Sequence, residues 1–206
     1  MASGAFWWGF EWLNRFAGNW HYAGVEGYGP LRYAAHASLC FSTVLPAVTV
    51  TAEALGGAGW ERGPRWPWLA RPATGRMLLA LGGAALFLVG WVPRFAYPAL
   101  WLAPLALYFG EGILAGRTGL WTEVAQGDWR SAGPWMFAAL ICGFFWELWN
   151  FHSDPRWAYT VPGADRWHLF AMPLPGYAGY LPFGWECWAA ASMLGATRRA
   201  DRGAGG

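Results

Sequence analysis

Hydrophobic and polar positions divide the chain into long apolar runs separated by short charged ones. A helix needs about 20 mostly apolar residues to cross a bilayer. Residues 36–57, 77–93, 96–115, 134–151 and 176–195 meet or approach that length. Pro46 and Pro104 fall inside the first and third runs, where a missing N–H bends or breaks a helix. A sixth run, 4–17, is shorter and reads as a tilted span, a re-entrant piece or an interfacial helix. The pattern predicts an all-α, polytopic membrane protein of five or six transmembrane helices. On this reading residues 1–195 form one integral membrane domain and 196–206 a disordered basic tail. Ala80, Gly83, Ala84 and Gly90 lie on one face of the second run and predict a close helix contact there.

Two stretches within this pattern look alike. Glu11-Trp12-Leu13-Asn14 is followed by Trp20-His21-Tyr22, and Glu147-Leu148-Trp149-Asn150 by Trp157-Ala158-Tyr159. Both read E-x-x-N then W-x-Y, with one residue of slack. Each precedes an apolar segment with Leu-Pro and a deeper carboxylate, Leu45-Pro46 to Glu53 and Leu181-Pro182 to Glu186. The repeat-like halves run from about 5 to 57 and from 134 to 195. Four crossings separate them, so they predict parallel rather than inverted repeats.

Composition sharpens the membrane reading. The chain of 206 residues is 56% hydrophobic and 13% charged, with 18 Trp and 29 Gly. Soluble domains carry about 25% charged residues. All 14 basic residues are Arg, and nine lie in 58–76, 116–133 and the tail. The positive-inside rule then places these three regions in the cytoplasm, the C-terminus included, and both W-x-Y sequences at the outer face. No basic stripe lies outside the loops, which argues against nucleic-acid binding. Glu11 interrupts the first apolar run and no basic segment precedes it, unlike a cleaved signal peptide. Cys40, Cys142 and Cys187 form no C-x-x-C pair and read as small packing residues.

An ionisable residue inside a span is costly, and normally faces a bundle interior or a cavity. Glu147 and Asn150 share a helix face. With Glu186 they are the candidate catalytic groups: acids or hydrogen-bonding groups from the two carboxyls, orientation from Asn150. Glu11, Asn14, Trp146, Trp149, Trp157, Trp185 and His152 are the candidate binding residues. The Trp rings would wall a cavity near the outer leaflet and stabilise positive charge. Glu111, six residues before Arg117, reads as a salt-bridged or snorkelling group. The outer histidines His21, His36, His152 and His168 match no ligand spacing, so no metal and no cofactor is assigned.

The runs CGFFWELWNF, RWAYTVP and MPLPGYAGYLPFGWE, with EWLNRF, NWHYAGV and FSTVLPAVTVTAE, resemble a set of bacterial polytopic membrane proteins of no assigned function. The resemblance implies a fold only. Leu181-Pro182 with Glu186 is also faintly similar to membrane-embedded carotenoid and terpene cyclases, which use intramembrane carboxyls as acids. The paired P-x-E-E pattern of those enzymes is missing here.

Three readings follow. The first is a site that binds or transforms a lipophilic isoprenoid or lipid by acid chemistry. The second is a small proton-linked transporter or channel; at this length a carrier would need to be a homo-oligomer. The third is a non-catalytic subunit binding pigment, haem or quinone, suggested by the Trp count and the outer histidines.

Overall fold

The computed structural model describes residues 1–56, 59–60, 62–92, 97–161, 167–195 and 197. Arg94, Asp165, Arg166 and the expected tail, residue 197 excepted, lie outside the described residues. The chain is mostly helical. Helix α1 spans Ala2–Ala17, α2 Pro30–Phe41, α3 Val44–Leu55, α4 Pro72–Trp91 and α5 Tyr97–Leu114. Then follow α6 Leu120–Gln126, α7 Ala132–Phe151, α8 Leu174–Tyr177 and α9 Tyr180–Met193. The short strands are β1 Trp20–Ala23, β2 Arg156–Tyr159, β3 His168–Leu169 and β4 Met172–Pro173.

Local chemistry sets the boundaries. Pro30 and Pro72 open their helices at the first turn, where no N–H is needed. Gly18 closes α1 in the left-handed conformation (φ 63°), its N–H donating to the Asn14 carbonyl. The bend between α2 and α3 falls at Ser42 and Thr43. Pro46 cannot donate to the carbonyl four residues back. The Ser42 and Thr43 hydroxyls instead donate to the carbonyls of Leu39 (2.6 Å) and Cys40 (2.7 Å). The run expected at 176–195 divides into α8 and α9, with the break at Ala178 and Gly179.

Among the described residues, three helical stretches are long and apolar enough to cross a membrane: Pro30–Leu55, Pro72–Val89 and Ala132–Phe151. Pro98–Leu114 is apolar but shorter. Helix α7 buries Trp135, Ala138, Ala139 and Cys142 on one face and carries large apolar side chains on the other as well. It exposes Phe137, Ile141, Phe144, Phe145 and Leu148, while Glu147 and Asn150 are 0% and 2% exposed. Apolar side chains thus face outward while the two polar groups face in, a pattern compatible with a lipid surround.

Two cores hold the bundle. The larger joins Phe10 of α1, Leu45 and Val48 of α3, Ala138 and Cys142 of α7, and Phe183 of α9. The smaller, toward the other end of α7, packs Leu120, Trp121 and Val124 of α6 against Leu105 and Phe109 of α5. The segment expected to be a plain loop at 116–133 therefore carries a buried helix. Helices α4 and α5 meet through Gly75, Gly82 and Gly110; a Cβ on Gly110 would lie 2.8 Å from the Gly75 carbonyl oxygen. This corrects the expected stripe. Ala80, Gly83 and Ala84 are exposed, and Gly83 has nothing near it. Among the described residues of α4, Thr74, Gly75, Gly82 and Val89 are buried, the last three at a seven-residue spacing, so the packing seam runs along another face.

Helices α7 and α9 also approach closely. A Cβ on Gly184 would lie 2.1 Å from the Trp135 carbonyl oxygen. Backbone cannot yield as a side-chain tip can. Gly184→Ala is therefore expected to destabilise the protein by about 2–3 kcal/mol, as overpacked cores do. Thermal unfolding in detergent checks this, and an unchanged midpoint would show that the two helices are not locked at this contact.

Candidate functional site

The E-x-x-N and W-x-Y segments form one hydrogen-bonding unit, built twice. In the first, Asn14 Nδ2 donates to the Trp20 carbonyl (2.8 Å), and Asn14 Oδ1 accepts from the Asn19 and Trp20 N–H groups (2.8 and 3.3 Å). In the second, Asn150 Nδ2 donates to the Trp157 carbonyl and its Oδ1 accepts from the Trp157 N–H, both at 2.8 Å. Each Asn thus clasps the backbone of the strand that follows its helix. The carboxylates repeat the correspondence. Glu11 Oε1 accepts from Trp20 Nε1 (3.1 Å) and the Tyr22 hydroxyl (2.6 Å). Glu147 Oε1 accepts from Trp157 Nε1 (3.2 Å) and the Tyr159 hydroxyl (2.5 Å).

The two units are tied together by their strands. β1 and β2 pair antiparallel with Trp20 opposite Tyr159 and Tyr22 opposite Trp157. The register is symmetric about the His21–Ala158 pair. Helices α1 and α7 thus deliver equivalent carboxylates to the same strand pair from either side. Burial and the adjacent carboxylates push both the Tyr22 and Tyr159 phenols well above their ordinary range. Both remain protonated and act as donors.

The third donor differs. Glu11 Oε1 accepts from Trp7 Nε1 (3.0 Å), one turn back on its own helix. Glu147 Oε1 accepts from the Tyr180 hydroxyl (3.2 Å), which comes from α9. Gly143 makes this possible, because the Tyr180 ring lies where its Cβ would be (2.4 Å). Glu147 is consequently sealed, whereas Glu11 is half-buried and lines a cavity of about 500 Å³ with Trp8, Trp12, Arg15 and Tyr33.

Glu186 stands elsewhere. It is 4% exposed, and neither carboxyl oxygen has a hydrogen-bond partner. It lines an apolar groove of about 440 Å³ with Phe10 and Leu13 of α1, Pro104 and Tyr108 of α5, and Ala189 of α9. Six residues separate it from Tyr180, which turns it about 120° around α9 and moves it about 9 Å along the axis. None of the residues bonded to Glu147 lines this groove.

Glu147 and Glu186 thus have different surroundings and share no bonded or lining residue. Of the expected Trp wall, Trp157 bonds to Glu147 and Trp146 packs on Tyr180 with ring centroids 6.3 Å apart. Trp149 is 67% exposed against Phe145, because a step of two residues turns it about 200° from Glu147. Trp185 donates to the Ala132 carbonyl (3.0 Å) at the start of α7, far from Glu147 near its end. His152 is exposed and sits edge-on to Phe151. Glu53 is exposed, and Glu111 pairs with Arg117 as its spacing suggested. Among the described residues no three His, Cys, Asp or Glu side chains gather as they would around a metal ion.

No protein-family profile, curated protein or solved structure matches this chain. Function is accordingly read from its own residues. Several that matter were not singled out from the sequence. Trp7 and Arg15 stand four residues either side of Glu11, so helical spacing alone places them on its face. Tyr180 and Tyr33 come from separate elements, and only the tertiary structure brings them in.

Proposed function

We propose that this chain is a polytopic inner-membrane protein that holds a lipophilic molecule in the groove between α1, α5 and α9. Glu186 would hydrogen-bond the hydroxyl or carbonyl at the polar end of that molecule. One observation carries the reading: Glu186, whose two carboxyl oxygens are buried and unpartnered, is a wall residue of an otherwise almost wholly apolar groove. Buried polar groups are almost always satisfied, so an orphaned one marks a place where a partner belongs. In this reading α1, the bent α2–α3 pair, α4, α5, α7 and α9 are the membrane-embedded helices. The Arg-rich 58–76 region and the C-terminus face the cytoplasm.

The ligand class is an isoprenoid or other lipid bearing a single hydrogen-bonding head. Acid chemistry on it would use Glu186 as the proton donor. Glu147, with three donors on one oxygen, instead acts as the anchor that positions β2 and α9. The test compares small molecules extracted from gently purified wild type, Glu186→Gln and Glu186→Met. A stoichiometric lipophile that falls at least tenfold in Glu186→Met is expected. Glu186→Gln should keep it but fail to convert it if the carboxyl protonates the ligand. Identical bulk-lipid extracts from all three proteins would overturn the proposal.

A further inference from the structure

The two copies of the E-x-x-N unit differ in a way that singles out a second site. Matching Glu11 to Glu147 and Asn14 to Asn150 also matches Trp8 to Phe144, Trp12 to Leu148 and Arg15 to Phe151. In the second copy this surface is apolar. Phe170 covers part of it, with its ring centroid 5.5 Å from Phe144 and 5.8 Å from Phe151. In the first copy the same positions supply Trp8, Trp12 and Arg15 to the cavity on Glu11. Tyr33 completes that wall from α2.

The charges within the cavity are arranged unusually. Glu11 and Arg15 stand at the spacing and in the order that favour an ion pair on a helix. Yet Glu11 makes no ion pair with Arg15, unlike Glu111 with Arg117 or Asp128 with Arg130. Trp7, Trp20 and Tyr22 hold Glu11 Oε1 by three donors. A cation and an anion are thus presented separately, between three aromatic rings.

We propose that this cavity binds a zwitterionic phosphate–amine group, the headgroup of a phospholipid such as phosphatidylethanolamine. Arg15 offers a planar fork of N–H donors suited to phosphate oxygens. Glu11 faces the ammonium, and the rings of Trp8, Trp12 and Tyr33 present their negative faces to it. The cavity lies at the end of α1 that carries the β1–β2 pair, the level at which headgroups sit if the bundle spans the bilayer. The site adjoins the Glu186 groove, with which it shares Trp12 as a wall residue, but uses different chemistry.

Native mass spectrometry of the full chain released from nanodiscs tests this. The discs contain phosphatidylglycerol with graded phosphatidylethanolamine. One phosphatidylethanolamine retained per chain is expected. Arg15→Gln should weaken that retention at least tenfold, while Arg156→Gln, which removes a charge from the exposed first residue of β2, leaves it unchanged. Glu11→Gln should erase the preference for phosphatidylethanolamine over phosphatidylglycerol. Soluble glycerophosphoethanolamine forms the second arm. If it displaces the lipid in an Arg15-dependent manner, the same chemistry serves a soluble ligand; failure to compete assigns the site to the lipid. Equal retention of both lipids, unaffected by Arg15→Gln, would overturn the proposal. The amount of lipophile retained at Glu186 should not change with Arg15→Gln, so the two sites are judged apart.

Discussion

Asn150→Ala should lower the stability of the protein by about 2–4 kcal/mol, which for a chain of this size is a fall of roughly 5–15 °C in Tm. The side chain donates to and accepts from the Trp157 backbone at 2.8 Å in a place that is 2% exposed. Each such bond contributes about 1 kcal/mol, and each backbone group left buried without a partner costs about 1–3 kcal/mol more. Alanine leaves both the N–H and the carbonyl of Trp157 unmet, and β2 loses its fastening to α7. The effect spreads, because Trp157 and Tyr159 also bond Glu147. Asn150→Asp should recover less than half of the loss, since it keeps the acceptor but sets a second acceptor against the Trp157 carbonyl. Glu147→Gln should be milder than either, because an amide oxygen can still accept from Trp157, Tyr159 and Tyr180. Thermal unfolding of the three variants in one detergent provides the check. A shift of less than 1 °C for Asn150→Ala would show that the clasp is not what fixes the strand.

The contrast between Asn150 and Glu186 shows what the sequence carries and what it withholds. Helices declared themselves through apolar length, and the chemistry of Glu147 with Asn150 through their spacing of three. Pro46 marked a bend by a local rule that needs no tertiary information. The pairing of Trp20 with Tyr159 was not legible. Four-residue strands have too little alternation to stand out within Trp-rich sequence, and their register depends on two helices arriving side by side. Helix α6 was hidden for a similar reason: Leu120, Trp121 and Val124 are an ordinary short run until α5 supplies the surface that buries them. The placement of Glu186 depended on the α7–α9 contact. Its neighbour Trp185 pointed in sequence to the Glu147 cluster, but Gly184 brings α9 against Trp135, well before Glu147 on α7. The exposed rings of Trp149 and Phe145 show the remaining difficulty. In a lipid surround apolar character no longer distinguishes inside from outside, so a Trp near a carboxylate is as easily a lipid-facing residue as a wall.

Glu186→Met should raise the stability of the empty protein, by about 1–3 kcal/mol or several degrees in Tm. Methionine is unbranched, close to glutamate in length and adaptable in shape. It replaces two buried oxygens that have no hydrogen-bond partner with atoms that suit Phe10, Leu13 and Pro104. A group that costs stability where it stands, and whose removal helps the fold, is explained by a ligand that completes it. Mass action makes the same point in reverse. A ligand that binds only the folded state adds RT ln(1 + [L]/Kd), about 2.7 kcal/mol at a hundredfold excess over Kd. The lipophile extracted from the wild type should therefore raise the wild-type Tm when added back and leave that of Glu186→Met unmoved. Differential scanning calorimetry in lipid nanodiscs, with and without the extract, measures both quantities. A variant less stable than the empty wild type would mean that Glu186 already has a partner within the bundle, and the groove would then be a packing defect rather than a binding site. A more stable variant that no longer responds to the extract would fix Glu186 as the group the ligand meets.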